Sequence, residues 1–452
     1  MLIREFVDEG LGHSSYLIDT GDGCSVLVDP PRFPVEHEET AGRLNAPVRW
    51  TFDSHSHADY VTGSPGVSER LGATFVAPVS GLTVPHHGVV DGDRVDVGGG
   101  YFMEAVATPG HTPDHHAYLL CWHGDPVAVF SGGSLMVETI GRTDLCGPLL
   151  TEPLARLMFR SLRDRLMVLP DDLPVYPTHG AGSFCGAPGS AARTTTIGRE
   201  RAQNPLLAIT VEDDFVTALI GGFGTFPAHF TRLPELNRTG PQMYTKIPEL
   251  SRMTGEQVRG HVATGGMVID ARPIAEFSTA HLPGSISNAL RPVFGTWLGW
   301  IVDPDQRLVF ILNAEQDRSE LVRQCLDVGV ENLLGELDGG IGAWQATGHP
   351  VSQIALVDSI ASGDSVVDVR QAAEYAKGHA SGAVNIELGA LTKSAPAVAM
   401  DSGSVTMMCG HGERAMTAAS LVVAGGHTKA SVFNGGPETW AGSTGSRLQV
   451  DP

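Results

Sequence analysis

Ser54-His55-Ser56-His57-Ala58-Asp59-Tyr60-Val61-Thr62-Gly63 sets two imidazoles one residue apart, with the Asp59 carboxylate two positions further on. Alternate residues of an extended segment share one face, so His55 and His57 can address one cation just after a strand ends. Neutral imidazole beside a carboxylate suits zinc or iron better than calcium or magnesium. A solvated polar loop is the competing reading of these ten residues taken alone. The flanking sequence decides between them.

Upstream, β-type runs at 15–18 and 25–29 enclose Gly21-Asp22-Gly23 as a hairpin turn, and a run at 50–53 leads into the histidines. Downstream, 68–71 reads as helix and 74–77 as strand. Thr108-Pro109-Gly110-His111-Thr112-Pro113-Asp114-His115-His116 then separates strand-like runs at 102–107 and 117–121. Two prolines and a glycine stiffen that turn and fix His111. A strand at 127–130 ends in Ser131-Gly132-Gly133-Ser134, followed by Gly141-Arg142-Thr143-Asp144, and a strand at 174–176 ends in Pro177-Thr178-His179-Gly180-Ala181-Gly182-Ser183. Polar groups thus recur at strand ends, where a sheet scaffold gathers loops into one site.

The order and spacing of these motifs resemble the metallo-β-lactamase superfamily, in its glyoxalase II and persulfide dioxygenase branch, over residues 1–235. That resemblance implies an αββα sandwich with the metal at one edge of its two sheets. It assigns His55, His57 and His111 to a first metal position, Asp59 and His179 to a second, and Arg142 to substrate binding. Two departures stand out. Tyr60 replaces the family's histidine after the aspartate, and Gly133 replaces the strand-end carboxylate. A two-metal site is therefore not expected. One divalent cation, Fe(II) or Zn(II), on three histidines with Asp59 nearby is. Restoring an aspartate at Gly133 is expected to strengthen it. His86, His87, His115 and His116 read as surface or supporting residues.

At 452 residues the chain exceeds one ordinary core. A formal charge of −21 argues against nucleic acid or an anionic membrane as partner. The opening Met-Leu-Ile-Arg-Glu-Phe-Val-Asp-Glu is not a basic-apolar leader, and no apolar run is long enough to span a bilayer. Six scattered cysteines, at 24, 121, 146, 185, 325 and 409, suit a reducing cytoplasm. Residues 236–250 read as a linker rich in turn formers. Beyond it, Val268-Ile-Asp270-Ala-Arg272, Glu276-Phe and His281-Leu-Pro-Gly284 recur as Val366-Val-Asp368-Val-Arg370, Glu374-Tyr and His379-Ala-Ser-Gly382. This period suits two small domains, 251–352 and 353–452, each alternating strand and helix as in a doubly wound parallel α/β sheet.

Both copies resemble rhodanese sulfurtransferase domains. The second carries the active loop Met407-Met408-Cys409-Gly410-His411-Gly412-Glu413-Arg414-Ala415. Cys409 follows an apolar strand, and glycines let the backbone curl around its sulfur. A helix starts near Arg414, so N–H groups and a guanidinium favour negative charge on that sulfur. Cys409 is the expected nucleophile, with Arg414 assisting and Gly410, His411, Gly412 and Glu413 cradling substrate. In the first copy Asn313 stands opposite Cys409, which makes that copy structural; Trp297 and Trp300 read as filling an inter-domain contact. Together the parts resemble fusions of persulfide dioxygenase with rhodanese. The implied job is to oxidise a glutathione-type persulfide to sulfite, or to move sulfane sulfur through Cys409, in a protein that self-associates. The alternatives are a glyoxalase II-like thiol-ester hydrolase, or a non-catalytic scaffold of the same fold serving the rhodanese domain.

Overall fold

The computed structural model describes residues 1–80, 82–186, 190–303, 305–392, 403–427 and 429–450. They form two compact units, residues 1–247 with 326–329, and 248–325 with 330–452.

The first unit has two six-stranded sheets. One runs β1 (Leu2–Asp8), β2 (His13–Asp19), β3 (Ser25–Val28), β4 (Val48–Phe52), β5 (Thr74–Pro78), β6 (His87–Val89) in spatial order. The other contains β7 (Arg94–Gly98), β8 (Tyr101–Ala107), β9 (His116–Trp122), β10 (Asp125–Gly132), β11 (Pro174–Pro177) and β12 (Thr195–Thr196), in the order 12-11-10-9-8-7. Tyr16, Ile18, Val28, Phe52 and Val76 of the first sheet meet Met103, Tyr118, Leu120 and Phe130 of the second in the central core. The outer face of the first sheet packs Leu17, Leu27 and Val48 against Ala41 and Val67 of two helices, Val35–Arg43 and Ser64–Leu71. The second sheet packs Leu119 and Val129 against Ala155 and Met158 of Pro148–Arg160 and Phe215 of Glu212–Gly221. Both faces of each sheet are buried, so this is the expected αββα sandwich. The strand ends β4, β10 and β11 open onto one edge, where the histidine loops lie.

The connector differs from its reading. A helix, Leu233–Thr239, occupies its start, with Pro234 in the first turn, where a missing N–H leaves no hydrogen bond unmade. Buried Asn237 on this helix donates to the carbonyls of His57 and Tyr60, 2.9 Å each, and accepts from Thr62 N at 3.0 Å. Residues that look like spacer thus pin the histidine loop.

The second unit holds two parallel five-stranded sheets of matching topology. The first orders Arg252–Met253, Leu333–Leu337, Leu308–Ile311, Met267–Asp270, Ile286–Ser287, and the second Ala355–Val357, Ala430–Phe433, Val405–Met408, Ser365–Asp368, Val384–Asn385. The repeated sequence has a repeated structural cause. Arg272 pairs with Asp270 (2.6 Å), and Arg370 with Asp368 (2.8 Å), all buried. Each guanidinium also ties down a carbonyl eight residues on, Ala280 or Gly378. His281 stacks on Phe277 and His379 on Tyr375. Among the described residues no helix is long and apolar enough to cross a membrane.

Candidate metal centre and sulfur-carrier loop

Asp29, at the end of β3, organises the centre. It is fully buried and adopts a left-handed backbone (φ 49°), which aspartate tolerates better than most residues. Its carboxylate accepts from Ser54 N (2.7 Å), Ser54 Oγ (2.8 Å) and the Thr178 hydroxyl. Because Ser54 Oγ spends its proton on Asp29, it can only accept from His55 Nδ1, 2.8 Å away. His55 Nε2 is left bare. His57 Nε2 donates to Asp29 Oδ1 (3.1 Å), which leaves its Nδ1 bare. His111 Nδ1 donates to the Arg142 carbonyl (2.7 Å), leaving Nε2 bare. The hydrogen-bond network therefore assigns all three tautomers, each presenting a lone pair without a partner in a dry pocket. Orphaned buried acceptors are costly unless something positive meets them, and a cation fits this donor set.

His55, His111 and His179 each offer one ligand atom, mutually within 4.8 Å, and so do His57, Asp59 and His179. His179 Nδ1 lies 3.0 Å from Asp59 Oδ2, yet neither group has a well-directed hydrogen bond. Among the sequence-expected ligands the structure thus draws His179 in with His55 and His111, while His57 leans towards Asp59. Burial and then His57 and His111 hold His55 well below its ordinary pKa. Burial and then His179 push His111 down to about 3, so both stay neutral and able to ligate. Burial opposes charge on Asp59, but His179 holds its carboxyl far below the usual range.

Both departures from the family pattern have a structural account. Tyr60 gives its hydroxyl to the Asp29 carbonyl (3.2 Å), lies 3.0 Å from His57 Nε2 and packs its ring on His13. It supports a ligand rather than being one. A Cβ on Gly133 would sit 2.4 Å from His111 Cδ2. The imidazole has taken the space a side chain there would need, so the expectation that Gly133→Asp strengthens the site is corrected: it must displace a ligand.

Arg142 does not reach into the site. Its guanidinium binds Asp144 (2.6 and 2.8 Å) and the carbonyls of Gly224 and Phe184, and its carbonyl holds His111. Sequence reasoning missed two residues besides Asn237. They are Asp29 and His13, whose Nε2 lies 2.9 Å from the Asp29 carbonyl. His115 is buried, accepts from Gly133 N (2.9 Å) and bonds Thr108 Oγ1 (2.8 Å); with both nitrogens used it supports the loop and cannot ligate. Only a strand-end aspartate preceding two prolines hinted at Asp29. A cleft of about 700 Å³, lined by Ser56, Pro113, Asp114, Leu145, Cys146 and Arg238, lies along the two histidine loops.

In the second unit, Cys409 directly follows the strand Val405–Met408 and is buried. Gly412 N donates to its Sγ at 3.1 Å. Gly412 has φ 99°, a left-handed turn that starts the helix Glu413–Ala424 and aims its N-terminus at the sulfur. Gly436 presses on the same loop, since a Cβ there would meet the Gly410 carbonyl at 2.5 Å. Arg414 is clamped by Glu374 (2.6 and 2.9 Å), and its guanidinium lies over the Trp297 ring of the first copy (centroid 5.2 Å). His411, in the same loop, is exposed. In the first copy Asn313 binds Glu276, and Arg318 pairs with buried Glu336 (3.0 Å).

The rhodanese-like domain family matches residues 254–347 and 353–443. Human mitochondrial persulfide dioxygenase ETHE1 is 26% identical over 47% of this chain and 78% of its own length. A hydroxyacylglutathione hydrolase of Methylobacterium is 33% identical over 40% of this chain and 77% of its own. The crystal structure of a metallo-β-lactamase from Staphylococcus aureus superposes with a TM-score of 0.67 at 26% identity, covering 74% of this chain and 98% of that one. The sandwich of the first unit, the paired parallel sheets of the second and these matches agree: the chain belongs to the metallo-β-lactamase superfamily and carries two rhodanese-like domains behind that fold.

Proposed function

We propose that the first unit binds one transition cation and oxidises a low-molecular-weight, glutathione-type persulfide, and that Cys409 carries sulfane sulfur. The observation that supports this most is the set of bare nitrogens on His55, His57 and His111 beside Asp59, in a chain that also holds a thiol in an anion cradle. Fe(II) or Zn(II) there would supply a Lewis acid for a thiolate-type sulfur, and Fe(II) would activate dioxygen, which takes its electrons from the persulfide sulfur. Asp29 and Arg142 keep the histidines oriented for that cation. The cleft beside Ser56 and Asp114 is large enough for a tripeptide-sized thiol. A hydrolase of the glyoxalase II kind is the weaker reading, because Gly133 brings no bridging carboxylate and Tyr60 is committed to support.

At Cys409 the thiolate attacks the outer sulfur of a persulfide R–S–SH. The new bond makes Cys409–S–SH, the old S–S bond breaks, and R–S⁻ leaves with the electron pair. Gly412 N–H and the helix N-terminus hold the negative charge meanwhile, in a location that six scattered cysteines suggest is reducing. The test is oxygen uptake with glutathione persulfide on the iron-loaded full chain. Uptake is expected in the parent and lost in His111→Ala; a fully loaded parent that consumes no oxygen would contradict the dioxygenase reading.

A further inference from the structure

We propose that the cleft along the histidine loops holds its thiol carrier by a primary ammonium group, with Asp114 as the partner of that charge. This deepens the persulfide reading above and rests on it. Asp114 follows Pro113 in the His111 turn, and both residues line the cleft. One carboxylate oxygen, Oδ2, accepts from Ser56 Oγ (2.9 Å) and Ser56 N (3.3 Å), and Ser56 stands between His55 and His57. The carboxylate is thereby fixed against the loop that carries two of the bare imidazoles. Among the described residues no basic side chain pairs with it, and Oδ1 is left for a ligand.

The cleft's other charges already answer one another. Arg238 donates to both oxygens of Glu235, at 2.6 and 2.7 Å, so its guanidinium is neutralised before a ligand arrives. Pro113, Leu145 and Pro234 add apolar wall. One negative charge is therefore left over, with no spare positive one, in a chain of formal charge −21. Such a field repels carboxylates and attracts a cation. A thiol that carries both, as a glutathione-type molecule does, is held by its ammonium in a charge-assisted hydrogen bond, and its carboxylates stay with solvent.

Calorimetry with S-methylglutathione on the purified full chain tests this, because a thioether can bind without turnover. In the parent, N-acetylating the probe's amine should weaken binding about tenfold, as loss of one charge-assisted contact implies. Esterifying its two carboxylates should leave affinity equal or higher. Asp114→Asn keeps an acceptor for Ser56 and removes the charge, so free and acetylated probes should bind that variant alike. Equal affinities for the two in the parent, a preference that survives in Asp114→Asn, loss of binding on esterification, or no binding of S-methylglutathione would overturn the subsite. The three probes decide on the parent alone if the variant fails to fold. A parent that selects the free amine yet consumes no oxygen with glutathione persulfide would contradict the dioxygenase reading and leave the ammonium subsite standing.

Discussion

Asp29 shows how one carboxylate can prepare several ligands it does not itself resemble. Burial opposes its charge, yet His57 holds its carboxyl below the usual range, and through it the tautomers of His55 and His57 are set. Asp29→Asn keeps the shape and tolerates the left-handed backbone but removes the charge that orients both rings. Metal retention against a chelator should fall roughly 10–100-fold, the usual cost of losing such a partner; unchanged retention would show that the rings orient themselves. Gly133→Asp should also weaken retention, because its Cβ falls on the His111 ring. Tighter binding in that variant would mean His111 moves aside without loss. At this scale the spacing of His55, His57, Asp59, His111 and His179 was legible, since each sits at a strand end within a short motif. Asp29 was not, because its partners Ser54 and His57 lie 25 and 28 residues away and only folding brings the atoms together.

Among elements, the strand–loop–helix around Cys409 was readable from residues alone: an apolar run, glycines, then an arginine opening a helix. What the sequence left out was that Arg414 would be held by Glu374 and backed by Trp297 from the other copy. Sulfur transfer to cyanide should be abolished in Cys409→Ser and slowed about tenfold in Arg414→Ala, as one charge-assisted contact implies. Asn313→Ala should transfer normally, since the Asn313 amide binds Glu276 and offers no nucleophile; transfer that survives in Cys409→Ser would move the carrier elsewhere. The helix Leu233–Thr239 was hidden for the opposite reason. Pro234, Asn237 and Gly240 are turn formers, and its anchor is three hydrogen bonds made by one side chain to a loop about 180 residues earlier. Asn237→Ala should lower the melting temperature of the first unit by an amount equivalent to about 1–3 kcal/mol, because buried carbonyls lose their donor. It should loosen metal retention too; a variant as stable as the parent would show that water replaces the amide.

For the whole molecule, the order of motifs and the repeat were enough to foresee an αββα sandwich followed by two parallel-sheet domains, because each sheet's strands follow chain order or a repeated pattern. The acid response of the first unit was not foreseeable, since it depends on burial. His37, stacked on Phe6 and bonded to Ser15 Oγ (2.7 Å), is pushed down to about 3, by burial first and then by His13. Unfolded histidine binds a proton near pH 6.5, so the unfolded state holds more protons between about pH 6.5 and 3. Stability from this group is complete above that window and is lost as pH falls through it. His37→Gln should therefore narrow the gap between melting temperatures at neutral pH and near pH 5, where the group costs up to about 2 kcal/mol; an unaltered gap would assign the acid sensitivity to other buried histidines. The central claim, a cation held by the histidine loops, is tested most directly by elemental analysis of the purified full chain. The account predicts about one iron or zinc per chain, retained in Cys409→Ser and lost in His111→Ala. Full occupancy in His111→Ala, or a parent that takes up no transition metal on reconstitution, would contradict it.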